Sequence, residues 1–346
     1  SDLVSVGPFK ERNQTFWEVD SANMPILQNA EFQAIIGVGP PETPSADAWE
    51  EVRTQLHTIG AMFNNSQNPD SGIIQDAKDS FMAAVELTKG QTMLKNFAID
   101  TFSVCLGEES GSDGYLVWND TSPTDVPDRF FKLAVLGEHT WSVKLSNVRW
   151  QHSTFADNNN AKGGRHGKRA ARNDAIDCHD GKDCSALMDT GTSLLVVPSA
   201  VVNMIQDTIQ SFEANCSNLH LLPDLVFELD GHQFSLPPDA YVAEVTEEVP
   251  EYLQNTVRIR NMTVGNHSQA AQCRVLLMES NEEESHNRPV WIFGMPFFRK
   301  YYTSFQVGER RADRSIHIAH AADDCTPAPP QHNEKPRRKS RARRIA

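Results

Sequence analysis

The most reactive stretch of the sequence is a carboxylate set between two apolar runs. Asp189 follows Ala186-Leu187-Met188 and precedes Thr190-Gly191-Thr192-Ser193, after which Leu194 and Leu195 resume the apolar pattern. An ionised acid at the end of a buried strand costs desolvation energy unless N–H and O–H donors receive it, and this turn supplies such donors. Such an acid suits proton transfer in general acid–base catalysis. Local sequence alone equally allows an aspartate that only caps the turn.

The elements around Asp189 are mainly strands. A buried strand runs into Asp189, a short helix is predicted from Ser199 to Ile209, and strands return between Asp224 and Phe234. A last apolar pair closed by glycine, Ile292-Phe293-Gly294, follows near the end of this half. The second half is therefore predicted to be mostly β.

The first half has a similar plan with two helices inserted. Phe32 to Gly39 has the pattern of a buried strand closed by glycines. Two amphipathic helices are predicted next, the first capped by Ser45. Strands resume at Phe102–Leu106 and Trp141–Leu145. The helical periods rest on Trp49, Val52 and Leu56, and on Ile74, Ala77, Phe81 and Val85.

Several motifs in this order resemble the pepsin-like aspartic endopeptidases. The turn from Asp189 to Ser193 is similar to their second catalytic motif, and the match extends over nearly all of residues 1–322. The resemblance implies a bilobal, mostly β acid-protease fold with a few short helices. The other segments that resemble the family are Leu222–Phe227, Leu236–Tyr241, Trp291–Gly294 and Phe297–Thr303, with Phe32–Gly39 and Phe102–Leu106 in the first lobe.

The resemblance assigns roles to individual residues. Asp189 becomes one of two facing catalytic aspartates at the floor of a groove, and Thr190, Gly191, Thr192 and Ile292 become substrate-binding residues. In this family one carboxylic acid and one carboxylate share a proton and activate water, because two like charges so close together cannot both ionise. Disulfides Cys178–Cys184 and Cys216–Cys273 are implied, and a third between Cys105 and Cys325 competes with a buried thiol and a free tail cysteine.

The chain contains two glycine closures but one catalytic motif. Asp189-Thr190-Gly191 precedes the closure at Gly294, whereas no Asp-Thr-Gly precedes the closure at Gly37, and Asp100-Thr101 is followed by phenylalanine. We therefore expect the first catalytic aspartate and the substrate-covering flap to lie before Ser1, in a longer precursor. The N-terminal lobe is then incomplete, and residues 1–346 alone are expected to be inactive.

These observations predict four regions. Residues 1–145 form a partial N-terminal lobe with the interlobe sheet, and residues 146–183 form a polar inserted loop or linker. Residues 184–325 form the C-terminal lobe with the catalytic motif, and residues 326–346 form a basic tail. The tail has seven basic residues and no aromatic residue, so it is predicted to be disordered and solvated; binding to RNA is the alternative.

Composition and the cysteines limit the cellular compartments and the partners that this protein can have. The 346 residues are 39% apolar, no apolar run reaches the ~20 residues of a transmembrane helix, and the formal charge of −14 disfavours nucleic acid. Sequons at six asparagines and the small Cys178–Cys184 loop favour the secretory pathway, with an extracellular or lysosome-like destination. We expect a monomer that takes protein or peptide substrates. The sequons are at Asn13, Asn64, Asn119, Asn215, Asn261 and Asn266.

No metal or cofactor is predicted. A zinc site needs four ligands at suitable spacing, and near Cys178 and Cys184 only His179 adds another.

Three functions compete. The first is an aspartic endopeptidase whose first catalytic strand lies outside this sequence. The second is a non-catalytic relative that binds peptides or proteins in its cleft. The third, a protease with one motif per subunit that forms its pair by dimerisation, is disfavoured because both closures lie in one chain. Serine and cysteine hydrolases lack support, since no Gly-x-Ser-x-Gly elbow is present.

Overall fold

A computed structural model gives the fold of the chain as two compact units. The first comprises residues 1–100 and 138–140, and the second comprises residues 101–137 and 141–346. The boundaries predicted at residues 145, 183 and 325 are a different division and stay a prediction. The structure describes residues 2–14, 16, 34–40, 43–65, 71–89, 91–108, 112–151, 174–179, 181, 184–199, 201–205, 218–245, 272–280, 283–284, 288–308, 310–329 and 344–345.

The described part of the chain is mostly β, as predicted. The strands expected around residues 102–106, 141–145, 184–188, 224–234 and 292–293 are all present. In chain order the strands are β1 (Asp2–Val6), β2 (Phe9–Gln14), β3 (Thr101–Cys105), β4 (Tyr115–Trp118), β5 (Phe131–Ala134), β6 (Ser142–Gln151), β7 (Asp174–Asp177), β8 (Cys184–Met188), β9 (Leu195–Pro198), β10 (Asp224–Leu229), β11 (His232–Leu236), β12 (Val242–Val245), β13 (Gln272–Val275), β14 (Leu277–Ser280), β15 (Glu283–Glu284), β16 (Arg288–Phe293), β17 (Tyr301–Gln306), β18 (Ser315–His320) and β19 (Arg344–Ile345).

Two long helices and several single turns accompany the strands. Residues 201–205 are helical, within the helix predicted from Ser199 to Ile209. Short 3₁₀ turns occur at Pro127–Arg129, Leu219–Leu221 and Arg311–Asp313. No helix in the described ranges is both long enough and apolar enough to cross a bilayer. The α-helices with printed bounds are α1 (Thr43–Asn65), α2 (Ser71–Lys89), α3 (Met93–Asn96), α4 (Ser122–Asp125), α5 (Pro238–Tyr241) and α6 (Met295–Phe298).

In the first unit, Trp49 and Leu56 of the apolar face predicted for the first helix are 52% and 53% exposed, whereas Val52 is buried. The helices α1 and α2 themselves are present as predicted. They pack against each other, and small buried side chains allow the close approach, among them Ala48, Ala77 and Ala84. The helix α1 begins at Thr43, two residues before the predicted cap Ser45. The strands β1 and β2 form a hairpin whose Phe9 ring stacks on Phe97 at 5.4 Å between centroids.

The buried strand predicted at Phe32–Gly39 is wrong for the residues that the structure describes. Residues 34–40 form no strand, and Ile35 and Ile36 are 78% and 51% exposed. Apolar residues form a buried strand only when neighbouring strands satisfy their backbone and cover their side chains. In the second unit Ile292 and Phe293 have such neighbours on both sides, in β8 and β9. Among the described residues of the first unit, no strand pairs with residues 34–40.

The second unit contains a nine-stranded sheet that holds Asp189. Its main order is β11-β10-β6-β8-β16-β9-β14, with β7 beside β6 and β15 beside β16. The expected linker at residues 146–183 is partly strand, because β6 extends to Gln151 and pairs with β7; residues 152–173 lie outside the described part. A smaller sheet orders as β13-β12-β19, so the tail residues Arg344–Ile345 add a parallel strand to β12.

A five-stranded sheet, β4-β3-β17-β18-β5, completes the second unit. Cys105 on β3 forms a disulfide with Cys325, which resolves the two alternatives left by the sequence. Both cysteines are buried beside Tyr302 and Ala319. The bond therefore ties the segment that follows β18 to β3 of this sheet.

A buried aspartate anchors the segment that follows β4. Asp120 is 8% exposed, and its Oδ2 accepts hydrogen bonds from Ser103 Oγ at 2.5 Å and Tyr302 Oη at 2.9 Å. Its Oδ1 accepts from Ser122 N at 2.9 Å and Ser122 Oγ at 2.6 Å. Burial raises the pKa of Asp120, but these hydrogen bonds outweigh burial and hold the pKa below its ordinary value of 3.8.

We expect Asp120→Ala to destabilise the protein by about 2–3 kcal/mol, because it leaves the buried hydroxyls of Ser103 and Tyr302 without an acceptor. Urea unfolding followed by circular dichroism measures the change. Asp128→Ala is the control, since Asp128 is exposed. Equal midpoints for the two variants would contradict the anchoring role of Asp120.

Candidate active site

Asp189 lies immediately after β8, where that strand leaves the interior of the nine-stranded sheet. The strand is buried because β6 pairs with it on one side and β16 on the other. The backbone N–H of Asp189 donates to Phe293 O at 3.1 Å, which continues the β8–β16 pairing by one residue. Asp189 is half-buried, so its carboxyl group is held at the edge of the sheet and retains access to solvent.

The turn after Asp189 holds both oxygens of its side chain. Gly191 N donates to Oδ1 at 2.8 Å, and Thr192 Oγ1 donates to Oδ2 at 2.5 Å. The backbone also closes the turn, since Thr192 N donates to Asp189 O at 3.3 Å. Hydrogen bonds to both oxygens fix the plane of the carboxyl group. The donors that the sequence predicted are therefore present, and they orient the acid.

The close approach of β16 to this turn requires a glycine at position 294. A Cβ on Gly294 would lie 2.2 Å from both Thr192 O and Leu194 O, far inside contact distance. Met295 N, the next donor along the chain, binds Thr192 O at 2.8 Å. The glycine closure and the Asp-Thr-Gly-Thr turn thus pack directly against each other. The sequence pattern does not show this contact. The only signal for it in the sequence is a glycine directly after an apolar pair.

The predicted substrate-binding residues fall into two places. Thr190, Gly191 and Thr192 occupy the turn with Asp189, and Gly191 is exposed. Ile292 lies on β16, opposite Leu187 of β8 and Val196 of β9. Ile292 is half-buried, two residues before the glycine that contacts the turn. The structure brings all four residues close to Asp189 along the chain or across one strand pair, and their contact with substrate stays a prediction.

The sequence contains a second triplet that a count of Asp-Thr-Gly alone misses. Asp70-Ser71-Gly72 has the letters of an Asp-Ser-Gly motif, but α2 begins at Ser71. Ser71 and Gly72 therefore lie in the first turn of a helix, whereas Gly191 and Thr192 follow a buried strand. Asp70 itself lies outside the described residues. The backbone at Ser71 and Gly72 does not reproduce the arrangement around Asp189.

The disulfide Cys178–Cys184 fastens the start of the strand that carries Asp189. The two sulfur atoms are bonded and Cys184 is the first residue of β8. Asp177 lies beside this pair, but cysteines bonded to each other offer no thiolate for a metal. The second predicted pair cannot be followed: Cys216 lies outside the described residues, and only the backbone of Cys273, in β13, is described.

The sequence was also compared with known protein families and with individual proteins. The family profile described as eukaryotic aspartyl protease matches residues 1–320. Pepsin-3 of Oryctolagus cuniculus is 23% identical over 328 residues, which cover 93% of this chain and 62% of that protein. Pepsin A of Bos taurus is 23% identical over 317 residues, covering 90% of this chain and 63% of that protein.

Gastricsin of Mus musculus is 28% identical over 220 residues, covering 61% of this chain and 44% of that protein. This chain therefore spans less than two thirds of the length of these relatives.

We expect Gly294→Ala to displace the turn that holds Asp189, because the added methyl group cannot share space with Thr192 O and Leu194 O. The expected loss is about 3 kcal/mol or more of unfolding free energy, as for an overpacked core. Thermal unfolding measures it. Gly39→Ala is the matched control, since a Cβ there meets nothing within 4 Å. A Gly294→Ala protein as stable as the control would rule out the packing described above.

Proposed function

The chain belongs to the eukaryotic aspartyl protease family, and we propose that it supplies one aspartate of the catalytic pair of an aspartic endopeptidase, Asp189. The observation that carries this proposal is the carboxyl group at the mouth of a buried strand, with one backbone and one hydroxyl donor on its two oxygens. The protein substrate, the secretory setting and the roles of Thr190, Gly191, Thr192 and Ile292 are parts of the same proposal.

The proposed reaction is hydrolysis of a peptide bond by activated water. The ionised member of the carboxyl pair takes a proton from water as its oxygen attacks the peptide carbonyl carbon. The protonated member donates its proton to the carbonyl oxygen. The C–N bond then breaks as the member that took the proton from water passes it to the amide nitrogen. The two acids titrate as one coupled pair, so neither role belongs to Asp189 alone. No covalent enzyme intermediate is needed.

The facing aspartate is proposed to come from a segment outside these 346 residues. Supporting this, Asp189-Thr190-Gly191 is the one Asp-Thr-Gly of the sequence, and the apolar pair Ile35-Ile36 is exposed although its counterpart Ile292-Phe293 is paired on both sides. A strand that ends in an aspartate would pair with residues 34–36 in the way that β8 pairs with β16.

An oxidising compartment is proposed from the disulfides. Two disulfides are formed among the described cysteines, and both are buried. Cytosolic reductants keep most protein thiols reduced, so structural disulfides favour the secretory pathway. This setting fits an enzyme that meets protein substrates outside the cytosol.

We expect the product of the complete transcript to cleave a denatured protein, and pepstatin to block the cleavage. Asp189→Asn should lower the rate by about 10³-fold or more, since the pair then lacks a group that can cycle between acid and base. The chain of 346 residues alone is expected to show no cleavage. Robust turnover by this chain alone would refute the missing partner, and an active Asp189→Asn enzyme would refute the role of Asp189. Tight peptide binding without cleavage would identify a peptide-binding module instead.

A second variant tests the hydroxyl on the carboxylate. Thr192→Val keeps the shape of the side chain but removes the donor to Asp189 Oδ2, so kcat of the complete enzyme should fall by about 10- to 100-fold. Ser193→Ala is the control, because Ser193 is exposed and adjacent in the same turn. If both variants keep the parent kcat, the hydroxyl does not orient the acid.

A further inference from the structure

The five-stranded sheet of the second unit carries a polar row on one face. Ser103 of β3 pairs with Ser304 of β17, Ser304 pairs with His317 of β18, and His317 pairs with Lys132 of β5. Residues opposite each other on neighbouring strands share a face. Ser103 and Ser304 are fully buried, His317 is half-buried and Lys132 is exposed, so the row runs from a covered interior to the solvent.

The segment 119–130, called the strap below, contacts this face at both of its ends. At one end Asp120 accepts hydrogen bonds from Ser103 and Tyr302. At the other end the Phe130 ring meets Tyr302 at 6.0 Å and His317 at 6.5 Å between centroids, edge-on in both cases. The strap also contacts the segment that follows β18, where Arg129 Nη1 donates to Pro327 O at 2.8 Å.

The imidazole of His317 is half-buried and lies against the Phe130 ring. Its Nδ1 is buried and has no hydrogen-bond partner among the described residues, and the same holds for Ser304 Oγ beside it. Burial, and secondarily the positive charge of Lys132, lower the pKa of His317 from 6.5 to about 4. The folded protein therefore keeps this ring neutral well below the pH at which an exposed histidine takes up a proton.

Among the described residues, no carboxylate forms an ion pair with His317, and Lys132 is the charge that acts on its pKa. The charged and titratable groups around it are Lys132 on β5, Tyr302 on β17, and Arg129 and Asp120 on the strap. Asp120 is already engaged by four hydrogen bonds from Ser103, Ser122 and Tyr302. Protonation of this half-buried ring beside Lys132 is unfavourable while the ring packs against Phe130, so protonation favours a state in which the ring is more exposed.

We propose that the strap is held by an acid-sensitive contact: protonation of His317 beneath Phe130 releases residues 119–130 from the sheet, which sets a lower pH limit for the second unit. Release exposes the ring to water and separates it from Phe130. The inference concerns stability and does not depend on the proposed peptidase activity.

The direction of the effect follows from the two states of the ring. The unfolded or released form binds a proton with the ordinary pKa of 6.5, whereas the closed form does so only near 4. The contribution of His317 to stability is therefore complete above about pH 6.5 and is lost as the pH falls towards 4. Asp120 acts in a lower window, because its depressed pKa lies below 3.8.

Limited proteolysis tests the release directly. The chain of 346 residues is treated with an acid-active endopeptidase at about pH 6.5 and at about pH 4.5, and cuts within residues 119–130 are quantified by mass spectrometry. Each rate is divided by that of an unfolded peptide of the same sequence, which removes the pH dependence of the added protease. We expect this ratio to rise about tenfold or more on acidification, and His317→Gln to abolish most of the rise.

A histidine on the other face of the same strand is the matched control. His320 lies three residues from His317, so it points away from the strap, and its ring meets Tyr301 at 5.1 Å. Burial also lowers the pKa of His320. His320→Gln should therefore reduce the acid-induced fall in Tm without changing the acid-induced cleavage of the strap.

Lys132→Gln provides a second test that leaves the buried ring intact. Removal of the neighbouring positive charge should make protonation of His317 easier in the closed state, and the rise in strap cleavage should become smaller. Equal acid-induced cleavage in the parent chain, His317→Gln and Lys132→Gln would overturn the proposal. So would a rise abolished equally by His320→Gln, since that would place the release elsewhere.

Discussion

The structure around Asp189 depends on one backbone contact, the packing of Gly294 against the turn that follows β8. The carbonyl groups of Thr192 and Leu194 approach so closely that only a residue without a Cβ fits. That approach allows Met295 N to bind Thr192 O, and Thr192 in turn donates its hydroxyl to Asp189. A glycine some hundred residues along the sequence therefore determines where a carboxylate oxygen lies. A polar group that acts in catalysis needs this kind of support, because its own side chain has free rotation.

The second unit is stabilised well beyond this turn. The disulfide Cys178–Cys184 fixes the start of β8, and the disulfide Cys105–Cys325 fixes the segment that follows β18. Aromatic rings pack between the strands of the nine-stranded sheet and α6, for example Phe227, Phe293 and Phe297. Asp120 and its hydroxyl partners close the polar face of the other sheet. The rigid parts thus surround the turn that holds Asp189, whereas the contact proposed to be acid-sensitive, at His317, belongs to the five-stranded sheet.

The sequence was sufficient for features set by local pattern. The apolar run before Asp189, the donors after it and the helices α1 and α2 follow from residue type and spacing, and all are found. Features set by contacts between distant residues were not predictable in this way. Asp120 has an unremarkable polar neighbourhood in sequence, yet it contacts Tyr302, 182 residues away. His317 alternates with apolar residues like any strand residue. That its Nδ1 is buried without a hydrogen-bond partner among the described residues can be seen only in the folded sheet.

The failed strand at residues 34–40 shows why the same pattern had different outcomes in the two halves. Ile292-Phe293-Gly294 and Ile35-Ile36-Gly37 are nearly the same triplet, but only the first has strands on both sides. Burying a large aliphatic side chain gains about 1.5–3 kcal/mol, so two exposed isoleucines forgo several kcal/mol that a paired strand would recover. Strand pairing would also add backbone hydrogen bonds at Ile35 and Ile36, which form no strand in the structure. An added strand would therefore bind here with both hydrophobic and hydrogen-bonding gain. If that strand ends in an aspartate, as the proposed function requires, β8 and Asp189 beside β16 show the arrangement that it would take.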